Sequence, residues 1–413
     1  MDELTHDPSE FIRGLQQLLI SDKKKIAFLF GAGTSLAKKC DESPCIPAIG
    51  ELTQTIEADL SKIDKYKEAI NEIKEDEIGI DKYNIETLLS NLEQKLLVIG
   101  KGNLNGLDST EISDLITNIK KQIRKKVSVH EKIEKNREHL ENSIQCDFAE
   151  WINRVDRNYG IEIFTLNYDY LLELGLESKN VPYYDGFTGS FLPFFNSESV
   201  EDFRFLARQT KLWKIHGSLG WHFDEELGKV LRKDSSEQDI LIYPSTLKYS
   251  DSKKQPYISF LDRLSNFLKH DDSVLIICGY SFGDEHINER IMTALNNNIS
   301  SNVIALYYDI IWQEEKEYGL KEDLFLTKLA KTNSKLSVYG CKNAVIGCQY
   351  GKWKLNTEPD DSDKKNISLY FNEDPGTGKA WTGEGELILP DFCKFVNFLS
   401  SWIIENKLDQ GIK

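Results

Sequence analysis

Positive charge is scarce in this 413-residue chain: 51 lysines and arginines stand against 67 aspartates and glutamates, a formal net charge of −16. This balance argues against broad attraction to nucleic acid or anionic lipid and leaves only a local basic face open. Apolar stretches as long as the roughly 20 residues of a membrane span are lacking, and the acidic, polar first residues are unlike a signal peptide. These absences predict a cytoplasmic protein with no membrane partner and no direct sequence-specific contact with nucleic acid.

Cysteines at the spacing of a zinc site are also lacking. The chain has seven cysteines, an odd number scattered over its length, which favours reduced thiols over a disulfide framework. Neither Cys40 and Cys45 nor Cys341 and Cys348 are separated as in a zinc knuckle. We therefore expect no metal site. The 40% share of hydrophobic residues is enough to bury a large core, spread over about two to three domains.

A glycine-containing loop follows the first strand signal. Ile26 to Phe30 are apolar without alternation, as in a strand buried on both faces of a parallel sheet. The glycines that follow let the backbone turn sharply and approach a bound group, and exposed N–H groups before a helix suit a phosphate. A tight strand-to-helix turn without a ligand is the plain alternative. The loop consists of Gly31, Ala32, Gly33, Thr34 and Ser35.

Short apolar strands recur along the chain, separated by helices. They end in glycine, asparagine or histidine, and the pattern predicts a doubly wound, Rossmann-like parallel α/β sheet, in which ligands bind at the carboxyl ends of the strands. A leucine-, isoleucine-, lysine- and glutamate-rich stretch with helical spacing interrupts them and predicts a large helical insertion. The predicted strands are 161–165, 212–215, 240–243, 274–278 and 303–308. The predicted units are a discontinuous sheet domain over 1–50 and 156–310, a helical insertion over 51–155 and a small C-terminal α+β extension over 311–413.

Three strand ends carry further polar residues. Asn167 and Asp169 follow the strand at 161–165, which is typical either of an Asn/Asp turn or of a ligand-binding edge. His216 directly precedes a glycine after the strand at 212–215, so its imidazole can enter a cleft, although a lone histidine is more often structural. The strand at 274–278 runs into a Gly/Ser turn, in which Asp284 is equally suited to cap a helix.

Taken in their order along the chain, the glycine loop and the polar strand ends resemble the motifs of the sirtuin superfamily. The resemblance covers roughly residues 24 to 310, interrupted by the helical stretch, and the ordered combination is far more specific than any one motif. The matching motifs are Gly31-Ala32-Gly33-Thr34-Ser35, Ile46-Pro47, Thr165 to Asp169, His216-Gly217 and Gly279-Tyr280-Ser281.

The resemblance implies that the sheet domain binds NAD. The glycine loop would hold the pyrophosphate, and Ser281 would lie near the adenosine half. Asn167 would contact the nicotinamide ribose, Asp169 the carboxamide, and His216 the ribose hydroxyls as a general base or orienting group. Asn167 and His216 are therefore the predicted catalytic residues. The remaining predicted binding residues are Pro47, Gly279, Phe282 and Asp284.

Departures from the family pattern favour hydrolysis of NAD. The family's deacylases carry two Cys-x-x-Cys pairs in a zinc module, which this chain lacks; Cys45 also stands where the family often has glycine, and the arginine after the Pro47 loop is absent. Water is then the simpler acceptor of the ADP-ribose group. The turn from Gly279 onwards resembles bacterial sirtuin-like proteins of antiphage defence, which deplete NAD. That likeness implies an NAD glycohydrolase. The length of the chain, its helical stretch and its modest C-terminal extension also resemble stand-alone members that pair with a HerA-type ATPase, and this resemblance implies a homo-oligomer. A deacylase, an ADP-ribosyltransferase and a non-catalytic scaffold that binds NAD or ADP-ribose remain alternatives.

Overall fold

A ten-stranded mixed sheet organises the chain in the computed structural model, which describes residues 4–133, 138–224, 226–233, 255–309, 320–374 and 381–410. The predicted strand at 240–243 lies outside these residues. The described strands are β1 (Thr5–His6), β2 (Lys25–Phe30), β3 (Glu162–Thr165), β4 (Tyr183–Tyr184), β5 (Phe187–Thr188), β6 (Phe194–Phe195), β7 (Thr210–Lys214), β8 (Trp221–Asp224), β9 (Lys229–Arg232), β10 (Ser273–Cys278), β11 (Asn302–Leu306), β12 (Leu336–Tyr339), β13 (Asn343–Ile346), β14 (Gln349–Trp353), β15 (Phe371–Glu373) and β16 (Gly385–Leu387).

The order of the central strands is that of a Rossmann fold. The large sheet runs β1-β14-β13-β12-β11-β10-β2-β3-β7-β4, and the strands from β12 to β4 are parallel. Numbered along the chain, the six strands from β7 to β12 have the order 3-2-1-4-5-6. The order reverses between β2 and β10, and ligands of open α/β sheets bind in the crevice at such a point. This confirms the predicted α/β class and its Rossmann-like sheet.

Helices cover both faces of the sheet and form the long stretch between β2 and β3. A π-helical turn (Ile73–Ile78) and a 3₁₀ turn (Ile80–Lys82) lie between two of them. The described helices are α1 (Pro8–Ile20), α2 (Ala32–Leu36), α3 (Ile49–Leu60), α4 (Asp64–Glu72), α5 (Ile85–Val98), α6 (Ser109–Val127), α7 (His130–Ile133), α8 (Glu138–Glu141), α9 (Ile144–Arg154), α10 (Leu171–Ser178), α11 (Ser197–Glu201), α12 (Tyr257–Lys269), α13 (Glu285–Asn297), α14 (Phe325–Thr332), α15 (Asp361–Ile367) and α16 (Phe392–Gln410).

Strand β2 is apolar from Ile26 to Phe30 because both of its faces are buried. In β2, Phe28 and Phe30 point into a cluster formed with α1, α9 and α16, whereas Ala27 and Leu29 point into a second cluster formed with α12, α13 and α14. Side chains of a strand alternate between faces, so a continuous apolar run serves two cores. The unbroken hydrophobicity of residues 26–30 therefore has the reason predicted from the sequence.

The stretch between β2 and β3 has a third hydrophobic core of its own. Residues of α3, α4, α5 and α6 form it, and Leu219, from the segment after β7, joins them. Capping boxes fix the starts of α5, at Asn84 and Thr87, and of α6, at Asp108 and Glu111. α9 differs from these helices because its apolar face packs on the sheet. The described part of residues 51–155 contains helices and turns but no strand.

The parallel sheet continues beyond residue 310, which is the end predicted for the sheet domain. β12 lies next to β11 in parallel register, with Val303 opposite Leu336. β13 and β14 then extend the sheet as an antiparallel hairpin. β12 is only four residues long, so its sequence signal is weak, and pairing with β11 and β13 decides its place. None of the described helices is long and apolar enough to cross a membrane.

Candidate functional site

The glycine loop packs directly on the turn after β10, at the point where the strand order reverses. Phe30 and Cys278 are register partners, so β2 and β10 end at the same level. A Cβ atom on Gly31 would lie 2.4 Å from the Gly279 carbonyl oxygen, and one on Gly33 would lie 2.8 Å from the Gly279 Cα. Gly279 itself has a φ of +66°. Glycine is thus needed at Gly31 and Gly33 for close backbone contact, and at Gly279 for its left-handed conformation as well.

Hydrogen bonds inside the protein use several N–H groups of the loop. Gly31 N–H donates to the Cys278 carbonyl at 3.1 Å, and Gly33 N–H donates to the Gly279 carbonyl at 2.9 Å. Thr34 N–H donates to the Gly31 carbonyl at 3.0 Å. α2 begins directly after Gly31, as the loop sequence predicts. These bonds fix the shape of the loop and join it to the turn after β10.

A buried polar network joins the loop to the turn after β3. The Asn167 side-chain amide donates to the Gly31 carbonyl at 3.0 Å, to Thr34 Oγ1 at 3.1 Å and to Ser35 Oγ at 2.7 Å. Ser35 Oγ in turn donates to Asp169 Oδ2 at 2.7 Å. The other Asp169 oxygen accepts from the Leu171 N–H at the start of α10. All four side chains are buried, so this network brings predicted loop and turn residues together in one preorganised unit.

His216 lies beside Asp284, across the same end of the sheet. The distance from His216 Nε2 to Asp284 Oδ2 is 3.2 Å, and both side chains are largely buried. The other Asp284 oxygen caps α13 by accepting from the His286 N–H at 3.1 Å. Asp284 therefore holds the imidazole with one oxygen and the helix start with the other. The sequence predicts a cap or a ligand contact for Asp284, and the contact with His216 comes only from the fold.

The remaining predicted residues surround this group. Pro47 is half-buried and follows Ile46, whose N–H donates to the Ser35 carbonyl at 2.8 Å. Ala32 and Ser281 are exposed at the two turns. Phe282 has a φ of +60°, which is rare for a residue with a side chain, and its ring is buried against Tyr280. Its side chain thus faces the core, whereas Ala32 and Ser281 face outward.

Residues of the β3–α10 turn alternate between two environments. Asn167 and Asp169 form hydrogen bonds with Ser35 of the glycine loop, whereas Tyr168 and Tyr170 pack against the core of the helical stretch. The Leu219 N–H donates to the Tyr168 carbonyl at 3.0 Å, which adds a backbone link. The helices between β2 and β3 consequently support the turn that carries two predicted site residues.

Lys214 and Glu173 are polar residues at this site that the sequence did not single out. Lys214 Nζ donates to Glu173 Oε1 at 2.6 Å and to the backbone carbonyl of Asp169. Burial raises the pKa of the Glu173 carboxyl, although the Lys214 charge opposes that rise. Both residues line a cavity of about 1370 Å³ that also includes Tyr170, Ser218 and Trp221 but no residue of the glycine loop. A lysine among the apolar residues of the strand predicted at 212–215 is the signal that could have marked Lys214.

This arrangement combines three chemical features. A paired imidazole can take a proton, because the carboxylate beside it stabilises the resulting imidazolium. A buried amide held by three acceptors fixes the geometry next to it. Tight glycine turns line the crevice at the reversal of strand order, where nucleotides bind in such sheets. Within the described residues, no group of three or more His, Cys, Asp or Glu side chains could hold a metal ion.

A family comparison agrees with this geometry. Residues 161–328 match the family model of the SIR2-like domain. This match supports membership of the sirtuin-like superfamily. SIR2-like domains are often NAD-utilising enzymes, so the match implies NAD binding and an NAD-related function. Comparison with curated proteins gives no match.

The SIR2-like match covers only part of the site. It includes Asn167, Asp169, His216 and the turn from Gly279 to Asp284, but it begins after the glycine loop and Pro47. The hydrogen bonds from Asn167 and the contact between Gly31 and Gly279 connect the loop to the matched region. The fold therefore brings the glycine loop, which lies outside the match, into contact with the matched region.

Proposed function

We propose that this chain is an NAD glycohydrolase, which cleaves NAD to nicotinamide and ADP-ribose and acts as an antiviral effector. The observation that carries the proposal is the pairing of His216 with Asp284 at 3.2 Å, beside the crevice where β2 and β10 end. A histidine held by a carboxylate is the usual arrangement of a general base. The Asn167 network supplies a fixed polar group on the neighbouring strand end.

The proposed reaction breaks the bond between the nicotinamide nitrogen and C1′ of the ribose. The electron pair of that bond stays on the nicotinamide nitrogen and neutralises the positive ring. Positive charge develops on the ribose in the transition state, and water adds to C1′ while His216 takes its proton. Asn167 would hold the ribose in place, and Asp284 would stabilise the imidazolium. The products are nicotinamide, ADP-ribose and a proton.

Hydrolysis is preferred over transfer to a protein because the sequence departs from the deacylases of the resembled family. The two Cys-x-x-Cys pairs of their zinc module are missing from the sequence. Assembly as a homo-oligomer, activation within a complex and pairing with a HerA-type ATPase belong to the same proposal. These parts rest on the resemblance to antiphage proteins.

The test is a chromatographic assay of NAD breakdown by the purified chain, alone and with a HerA-type ATPase encoded beside it. We expect free nicotinamide and ADP-ribose in equal amounts. His216→Ala and Asn167→Ala should each abolish product release, whereas His139→Ala, at an exposed histidine of α8, should retain it. ADP-ribose attached to a peptide or protein would instead indicate a transferase, and NAD-dependent loss of an acyl group from a peptide would indicate a deacylase. NAD binding without turnover in every condition would support a scaffold, and turnover by the His216→Ala/Asn167→Ala double variant would contradict the catalytic assignment.

A further inference from the structure

Lys214 is a buried lysine at the end of β7, two residues before His216. Only 4% of its side chain is exposed. A buried ammonium is costly unless several partners compensate it. Lys214 has three: the Glu173 carboxylate at 2.6 Å, the Asp169 backbone carbonyl, and the ring of Tyr170, whose centroid lies 5.1 Å from Nζ. All three belong to one neighbouring segment, the turn after β3 and the first residues of α10.

These partners place Lys214 between the two proposed catalytic residues. Its backbone belongs to the strand that leads into His216, and its ammonium bonds to the turn that carries Asn167. Asp169, whose carbonyl accepts from Lys214, uses its carboxylate to accept from Ser35, and Ser35 accepts from Asn167. A continuous chain of polar contacts thus runs from the end of β7 to Asn167. Loss of the Lys214 contact would free one end of this chain.

Lys211 shows that burial of a lysine in β7 does not by itself serve the site. Its side chain is also buried, in the same strand. Its ammonium donates to the carbonyls of Leu206 at 3.2 Å and Gln209 at 3.3 Å, which belong to the loop before β7. Lys211 therefore binds at the opposite end of the strand, and within the described residues its ammonium has no hydrogen bond to the predicted site. It is a matched control for Lys214.

We propose that Lys214 is a positioning residue, which holds the β3–α10 turn so that Asn167 and Asp169 keep their places relative to His216. The proposal rests on the proposed NAD hydrolysis for its kinetic consequence, but its structural consequence is independent of catalysis. Lys214 acts through Asp169 and does not itself contact the substrate. Backbone bonds alone already join the two strands, for example from the Ile215 N–H to the Thr165 carbonyl at 2.8 Å. The lysine adds the constraint beyond the strand ends, where β pairing stops.

A single substitution of Lys214 would change two things at once. It would remove the bond to the Asp169 carbonyl, and it would leave the Glu173 carboxylate buried without its partner. The second Glu173 oxygen already accepts no hydrogen bond within the described residues. An unpaired buried charge destabilises a fold strongly. Lys214→Met combined with Glu173→Gln removes both charges, so this double variant separates the stability of the ion pair from the positioning of the turn.

The experiment compares the full-length wild type with Lys214→Met, Lys214→Met/Glu173→Gln and Lys211→Met. Steady-state NAD hydrolysis is measured for each, together with amide hydrogen exchange of the segment from Thr165 to Leu171. In the folded double variant we expect kcat to fall about 10- to 100-fold, with KM changed less than about threefold, because a misplaced group costs mainly the reacting geometry. Exchange of the segment should become faster. Lys211→Met should retain the wild-type kcat and the wild-type exchange of this segment.

Two results would overturn the positioning role. One is a wild-type kcat in the double variant, which would show that Lys214 only neutralises Glu173 and does not position the turn. The other is wild-type exchange between Thr165 and Leu171 in the double variant, which would show that the turn holds its place without the lysine. A wild-type chain that hydrolyses no NAD would contradict the proposed function, and hydrogen exchange would then decide on Lys214 by itself.

Discussion

Gly31 lies so close to the backbone of Gly279 that an added Cβ atom would come within 2.4 Å of the Gly279 carbonyl oxygen. The φ of Gly31 is −102°, which any residue can adopt. The reason for glycine at this position is therefore space between two turns, since the neighbouring atoms are backbone and cannot rotate away. The contact fixes the relation between β2 and β10 at the point where the strand order reverses.

This contact predicts that Gly31→Ala destabilises the protein, by about 3 kcal/mol, because overpacking against backbone forces the two turns apart. Gly14→Ala is the matched control: Gly14 lies in α1, and an added Cβ would meet no atom within 4 Å. That substitution should stabilise the helix by about 0.5–1 kcal/mol. Urea unfolding followed by circular dichroism measures both. Equal effects of the two alanines would contradict the packing argument.

A second prediction concerns the Ser35 hydroxyl, which accepts a hydrogen bond from Asn167 and donates one to Asp169. Ser35→Ala leaves two buried groups short of a partner and should lower the free energy of unfolding by about 1–3 kcal/mol. It should also weaken NAD binding at the proposed site, measured by calorimetry. Ser401→Ala in α16 is the control, since within the described residues its hydroxyl bonds only the Phe398 carbonyl of the same helix. Unchanged NAD binding in a folded Ser35→Ala variant would count against the network.

The double role of Asp284 can be separated by two substitutions. Asn caps helices as well as Asp does, so Asp284→Asn should leave the free energy of unfolding nearly unchanged while it removes the negative charge beside His216. We expect about 10- to 100-fold slower NAD hydrolysis, comparable with the loss of other groups that orient catalytic side chains. Asp284→Ala should in addition lose about 1 kcal/mol of stability.

Asp360 provides the control for the cap alone. It accepts from the N–H groups of Ser362 and Asp363 at the start of α15, and within the described residues its side chain has no hydrogen bond to the proposed site. Asp360→Asn and Asp360→Ala should reproduce the stability changes at Asp284 with no change in NAD hydrolysis. Wild-type hydrolysis by Asp284→Asn would show that the pairing with His216 does not contribute to catalysis.

The Glu77 carboxyl, in the helical stretch, is expected to make the free energy of unfolding depend on pH. Partial burial would raise the pKa of its carboxyl, but hydrogen bonds from Lys95, Asn91 and Asn105 outweigh burial and lower it. A lowered pKa in the folded state stabilises the protein above the ordinary glutamate pKa of about 4.3, and the contribution is lost as the pH falls through the folded value. Glu77→Gln should therefore be less stable than the wild type at pH 7, and the difference should shrink towards pH 3.

Urea unfolding of the wild type and Glu77→Gln at a series of pH values tests this sign. Glu68→Gln, at an exposed position of α4, is the control and should change the free energy of unfolding by less than about 0.5 kcal/mol. A Glu77→Gln difference that stays constant from pH 7 to pH 3 would contradict the assignment of the stabilisation to the ionised carboxylate.

Much of the fold follows from local sequence patterns. Residues 26–30 and 274–278 are predicted as buried strands, and the structure has β2 and β10 within one residue of these bounds. The helical spacing of residues 51–155 likewise corresponds to helices in the described part of that stretch. Periodicity succeeds at these places because both faces of the strands and one face of each helix are buried. β12 is not predicted from the sequence, because four residues with mixed polarity carry little periodic signal.

The candidate site was predictable as a set of strand ends but not as a set of contacts. Asn167 and Asp169 follow β3, and His216 follows β7, where ligands of parallel sheets bind. Which side chains meet there depends on strand order and register. Ser35 and Asn167 are 132 positions apart in the sequence and meet because β2 and β3 are neighbours. No local pattern contains that information.

The sequence by itself determined the α/β class, the places of the main strands and the polar residues at their carboxyl ends, because burial and turn chemistry act over a few residues. Only the tertiary structure decided that Asp284 holds His216, that Lys214 ties β7 to the β3–α10 turn, and that Gly31 is needed for space and not for its φ. These relations depend on which strand ends lie side by side. Strand order sets that, through packing of the whole sheet and its helices.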